Sequence, residues 1–142
     1  MEFIVTDRIG IKTGVRVRAA YIVISIHDPK SRKPKVKRQL GLRGMLQLMF
    51  DDAEPTDSEM LNAQVTLMSS RQARQVCDFV QRRRNQVGAV VVHCEAGMSR
   101  SPAVAAALCK AFGDDNRRFW QEYQPNEYVY RLVLEAAKGR TT

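Results

Sequence analysis

The sequence predicts a single α/β domain over residues 1–142, built on a mainly parallel central sheet flanked by helices. Three observations carry that expectation. Short β-branched runs alternate with amphipathic or Ala-rich stretches, the order that lays helices on a parallel sheet. Ala89-Val90-Val91-Val92-His93 is a near-continuous apolar run, as expected of a strand buried on both faces. Finally, 142 residues with 44% hydrophobic and 27% charged side chains fit one self-supporting globular unit.

Taken in order, residues 2–6 and 21–26 are β-branched and aromatic strands, and His27-Asp28-Pro29 closes the second. The segment from there to Gly44 reads as a loop. Residues 45–50 are a third strand that ends at Asp51-Asp52. Ser69 and Gln72 have the spacing of a capping box, after which Ala73, Val76, Cys77 and Val80 share one helical face. The 89–93 strand follows Gly88. Residues 102–112 then form an Ala-rich helix that Gly113 stops. Asn126 caps a last helix with Val129, Leu132, Val133 and Ala136 on one face. No apolar run approaches the ~18 residues of a membrane helix, so no membrane span is expected.

Charge is distributed unevenly. Lys and Arg number 23 against 15 Asp and Glu, a net +8. Seven of those cations (Lys30, Arg32, Lys33, Lys35, Lys37, Arg38 and Arg43) lie in an acid-free window, so outside it 16 cations face 15 acids. Such a loop is self-repelling and solvated. Near an anion site it would also steer acidic or polyanionic substrates. No aromatic residue interleaves with the cations, which argues against nucleic acid as the partner. The next charged cluster is acidic: Asp51, Asp52, Glu54, Asp57 and Glu59. Three cysteines at irregular spacing make no disulfide framework and suit a reducing compartment. With two acids in the first seven residues and no apolar leader, the expected location is cytoplasmic.

The chemistry is concentrated in His93-Cys94-Glu95-Ala96-Gly97-Met98-Ser99-Arg100-Ser101, between the most apolar strand and the Ala-rich helix. Ligands of open α/β sheets bind where strand ends meet helix N-termini. A tight loop entering a helix aims backbone N–H groups and the helix dipole at one point, which makes an anion cradle. Cys94 would lie at its floor, in surroundings that favour the nucleophilic thiolate. Arg100 brings a planar fork matched to two phosphate oxygens, and Gly97 lets the backbone bend close to the ligand. Ser99 and Ser101 add hydroxyls beside the sulfur. Cys77 also precedes an arginine, Arg83, by six positions, but it falls mid-helix with no strand or glycine beside it. Cys77 and Cys109 are therefore read as core.

This loop resembles the signature of cysteine-dependent protein tyrosine phosphatases, and its Ala-Gly-Met-Ser-Arg-Ser ending resembles the dual-specificity branch with its small bacterial, archaeal and phage members. The resemblance extends over residues 20 to 137; the first twenty residues and the cationic loop add nothing to it. It implies a phosphate-binding loop of Glu95, Ala96, Gly97, Met98, Ser99 and Arg100, with Cys94 as nucleophile. It also implies that Ser101 stabilises the leaving thiolate and that an aspartate after the preceding strand is the general acid. An aromatic, one residue and then Asp fits Asp52 better than Asp51, and Asp57 is a third candidate. His93 would organise the loop. With only His93 and His27 in the chain, neither metal nor cofactor is expected. The implied substrate is a phosphorylated protein. The rivals are a phosphatase for phosphoinositides, nucleotides or RNA 5′ ends, a phosphopeptide-binding module, and a sulfur-transfer enzyme.

Overall fold

The chain runs β1 (Glu2–Thr6), α1 (Arg8–Thr13), β2 (Tyr21–His27), β3 (Leu42–Met49), α2 (Ser70–Arg83), β4 (Ala89–His93), α3 (Arg100–Ala111), α4 (Arg117–Glu122) and α5 (Glu127–Lys138), in a computed structural model that describes residues 1–55 and 65–139. The four strands form one parallel sheet in the order β1-β4-β2-β3. All residues of β2 and β4 are buried, because these two strands are central and covered on both faces. The register aligns Thr6, His93 and Ser25 in one row. The residues that follow each strand therefore emerge together at the carboxyl edge, where α/β sheets hold their ligands.

Strand pleating divides the core in two. Ile22, Ile24, Ile26, Val90 and Val92 pack with Val76, Val80, Phe119, Val129 and Val133 on the face that carries the longer helices. Tyr21, Val23, Ala89 and Val91 pack with Ile11 of α1 on the other. Among the described residues, that second face carries the short helix α1. The rest of its cover includes Val15, Val17 and Val36, from extended segments between the elements.

The local signals are borne out where chemistry is local. Ser69 and Gln72 form the capping box, with Gln72 N donating to Ser69 Oγ at 3.1 Å and Ser69 N to Gln72 Oε1 at 2.9 Å. Asn126 Oδ1 accepts from Val129 N at 3.0 Å. Gly113 takes a φ of +82°, a left-handed position that suits glycine, just past α3. Two element starts differ from the pattern reading, and two short helices are additional to it. Strand β3 starts at Leu42, so Arg43 and Gly44 are inside it; it is an edge strand with a register irregularity opposite Tyr21/Val23, and alternation lapses there. Helix α3 starts at Arg100, because Pro102 fits within a first turn that needs no N–H donors. Helices α1 and α4 have six residues each, too few to show a period. No helix among the described residues is long and apolar enough to cross a membrane.

Candidate active site

The loop between β4 and α3 is pinned by its carbonyls. Those of Glu95, Met98 and Ser99 accept from the N–H groups of Arg8, Gln124 and Asn126 at 3.1, 3.0 and 3.0 Å. The Cys94 carbonyl faces His93 Nδ1 at 3.2 Å. Among the described residues, no N–H from Glu95 to Ser99 is paired with a protein acceptor. Outward carbonyls with free N–H groups at a helix start make a nest for an anion. Gly97 turns the chain with a φ of +69°. A Cβ there would lie 3.0 Å from the Thr6 carbonyl oxygen and 3.2 Å from Asp7 N, so the loop rests on the β1–α1 backbone.

Cys94 is buried at the strand end with Sγ 3.1 Å from Ser101 Oγ. Arg100 is also buried. Its Nη1 donates to the Phe50 carbonyl at 2.7 Å and lies 2.7 Å from Asp28 Oδ1. Its Nε is a buried donor with no partner among the described residues. One corner of the guanidinium is thus anchored while the Nε edge keeps its hydrogen-bonding capacity. Buried donors are almost always satisfied, so such an edge fits an oxyanion. Ala96 and Met98 are exposed on the loop, and Glu95 and Ser99 are half-buried.

The neighbouring aspartates have different partners. Asp52 Oδ1 accepts from Ser99 Oγ at 2.8 Å and from Asn126 Nδ2 at 3.0 Å, which holds it against the signature loop. Asp51 Oδ2 accepts from Thr66 N at 2.7 Å and belongs to its own loop. Asp57 lies outside the described residues. Asn126 does more than cap α5: its Nδ2 also donates to the Ala53 carbonyl at 3.1 Å, tying helix, Asp52 segment and loop together.

His93 is fully buried between Ser25 Oγ, 2.6 Å from Nε2, and the Cys94 carbonyl. A carbonyl only accepts, so Nδ1 carries the proton and Nε2 accepts from Ser25. Burial pushes this imidazole below its usual range, against a smaller opposing contribution from the Cys94 carbonyl. Burial would raise the Glu95 carboxyl, but the Arg8 charge and the hydrogen bonds of Ser31, Arg8 and the Asp28 backbone outweigh it and hold it low. Arg8 Nη1 lies 2.9 Å from Glu95 Oε1, and Ser31 Oγ donates to the same oxygen at 3.2 Å.

Arg8, Asp28, Ser31 and Asn126 are the site neighbours that sequence reading missed. Of these only Asn126 carried a local signal, its cap. Cys77 and Cys109 are core thiols facing the carbonyls of Val133 and Asp115. Among the described residues, no group of three His, Cys, Asp or Glu side chains could hold a metal ion.

A loop of this kind on this sheet defines a class: the chain has the fold of dual-specificity-type tyrosine phosphatases. Human DUSP28 superposes with a TM-score of 0.56 at 14% identity, covering 96% of this chain and 92% of that one. The human tyrosine phosphatase-like serine/threonine/tyrosine-interacting protein gives 0.55 at 23% identity, over 85% and 78%. A mouse putative dual specificity phosphatase complexed with zinc tungstate gives 0.55 at 18%, over 84% and 70%. No protein-family model and no curated protein matches the sequence.

Proposed function

We propose that the chain is a phosphomonoester hydrolase acting on phosphotyrosine, and on phosphoserine and phosphothreonine, in proteins. The observation that carries this reading is Arg100, anchored at Nη1 with a buried, unpartnered Nε beside a nucleophile-bearing loop. In the first step Cys94 thiolate attacks phosphorus in line. The P–O bond to the leaving group breaks and Asp52 gives that oxygen a proton, leaving phosphocysteine. In the second, Asp52 takes a proton from water, which attacks phosphorus and releases inorganic phosphate. Ser101, 3.1 Å from the sulfur, donates to the departing thiolate. Loop N–H groups and Arg100 hold the equatorial oxygens through both steps. Neither step uses a metal or cofactor. The compartment consistent with a reduced Cys94 is the cytoplasm.

The test is turnover of an aryl phosphate and a phosphotyrosine peptide by the intact chain, with mass spectrometry of the quenched reaction. A phosphoryl adduct on Cys94 is expected, as are abolished turnover in Cys94→Ser and near-normal turnover in Cys77→Ser. Phosphopeptide binding without turnover would mean a binding module, and thiosulfate turnover a sulfur-transfer enzyme. Turnover confined to nucleotides, phosphoinositides or RNA 5′ ends would move the substrate class.

A further inference from the structure

The cationic segment is a fixed part of the site's surroundings. Asp28, at its start, meets Arg100, and Ser31 meets Glu95. Arg8 Nη2 donates to the Arg32 carbonyl at 2.6 Å, Lys37 N to the Ile11 carbonyl at 3.0 Å, and Gln39 holds both N–H and carbonyl of Val15 at 2.9 Å. Between Arg32 and Gln39 there is no turn. Pro34 is buried and Val36 packs on the sheet, whereas Lys33, Lys35 and Lys37 are exposed. Three ammonium groups thus recur at every second residue, about 7 Å apart in an extended chain. None of Lys30, Arg32, Lys33, Lys35, Lys37 and Arg38 pairs with a carboxylate among the described residues.

The other side of the signature loop has the opposite charge. Ser99 borders a cavity of about 510 Å³ lined by Asp52, Glu54, Glu127 and Trp120. The cationic segment packs through Val36 on the sheet face that α1 covers and meets the signature loop at Glu95 through Ser31, whereas the cavity beside α4 and α5 borders the same loop at Ser99.

We propose that Lys33, Lys35 and Lys37 form a docking rail for an acidic tract on one side of the phosphorylated residue, so that the preferred substrate is a charge-asymmetric phosphopeptide. This rests on the phosphatase reading above. An extended peptide repeats its side chains at the rail's own spacing, and its acids would meet cations on one flank and carboxylates on the other. Nucleic acid fits less well, because no aromatic residue accompanies the cations for base stacking.

The experiment compares three phosphotyrosine peptides, with glutamates only before the phosphotyrosine, only after it, or neutral throughout, alongside a small aryl phosphate. One acidic peptide is expected to exceed the neutral one about tenfold in kcat/KM, within the range of electrostatic steering, and its mirror to show no gain. Replacing Lys33, Lys35 and Lys37 with Gln should erase that gain and leave the aryl phosphate unchanged. Salt at 1 M, where charges are screened beyond about 3 Å, should do the same. Equal gains on both flanks, or none, overturn the rail. So does an equal loss on the aryl phosphate, or a lysine-dependent preference for a 5′-phosphorylated oligonucleotide or phosphoinositide vesicles over every peptide. If the aryl phosphate is not turned over, the phosphatase reading fails separately. Binding of the same peptides to Cys94→Ser then still reads the rail.

Discussion

Asp28 Oδ1 lies 2.7 Å from Arg100 Nη1, and the aspartate is 41% exposed while the arginine side chain is 5% exposed. The pair joins the end of β2 to the start of α3. With the Phe50 carbonyl it sets the plane of the guanidinium. Its worth is therefore positional, since a half-exposed ion pair contributes little to stability.

Asp28→Ala should consequently weaken phosphate binding more than it weakens folding. The stabilisation of the protein by millimolar inorganic phosphate, read as a thermal shift, should fall, and kcat/KM should drop by roughly tenfold to a hundredfold for a misplaced contact. Asp28→Asn keeps one acceptor oxygen and should lie between. Tighter phosphate binding in either variant would show instead that Asp28 competes with the ligand for Arg100.

The hydrogen bond from Ser99 to Asp52 leads to a leaving-group test. Asp52→Asn should slow an alkyl phosphate by roughly 10²–10⁴, the usual contribution of one acid–base group. A nitrophenyl phosphate, whose anion leaves unaided, should lose far less in its first step. Asp51→Asn should show no such dependence, because its carboxylate serves Thr66. The reverse pattern would exchange their roles.

Gly97→Ala should disturb the loop. A non-glycine residue in the left-handed region costs about 1 kcal/mol, and here the added methyl also meets the rigid Thr6 and Asp7 backbone. Turnover should fall at least tenfold with the fold retained in circular dichroism. Unchanged turnover would mean that the loop does not need its seat on β1.

Burial keeps His93 neutral in the folded chain, below the ~6.5 of an unfolded histidine. The unfolded state therefore takes up a proton first as pH falls. The stability associated with His93 is intact above about pH 6.5 and is lost progressively below it. Against His93→Gln, which cannot titrate, wild type should be the more stable at pH 7.5, and the difference should shrink toward pH 5. A difference in melting temperature that is constant with pH would refute the assignment.

Local chemistry was sufficient to read the signature loop, the Ser69 and Asn126 caps and the buried 89–93 strand. Each depends on neighbours within a few residues: an apolar run, a hydroxyl before a helix, a glycine in a bend. Strand parity does not decide between Asp51 and Asp52, because alternation lapses where a strand enters a loop, and only the resemblance favours Asp52. Their separation arises from Ser99 and Asn126, which the fold brings back from distant helices. Arg8, Asp28 and Ser31 carry no local pattern. They reach the loop because parallel strands in register deliver their carboxyl ends to one edge. In the same way the sequence alone established that the positive charge is one patch. That it forms a fixed, alternating row follows from Pro34 being buried and Val36 packing on the sheet, which turns Lys33, Lys35 and Lys37, at every second residue, to solvent.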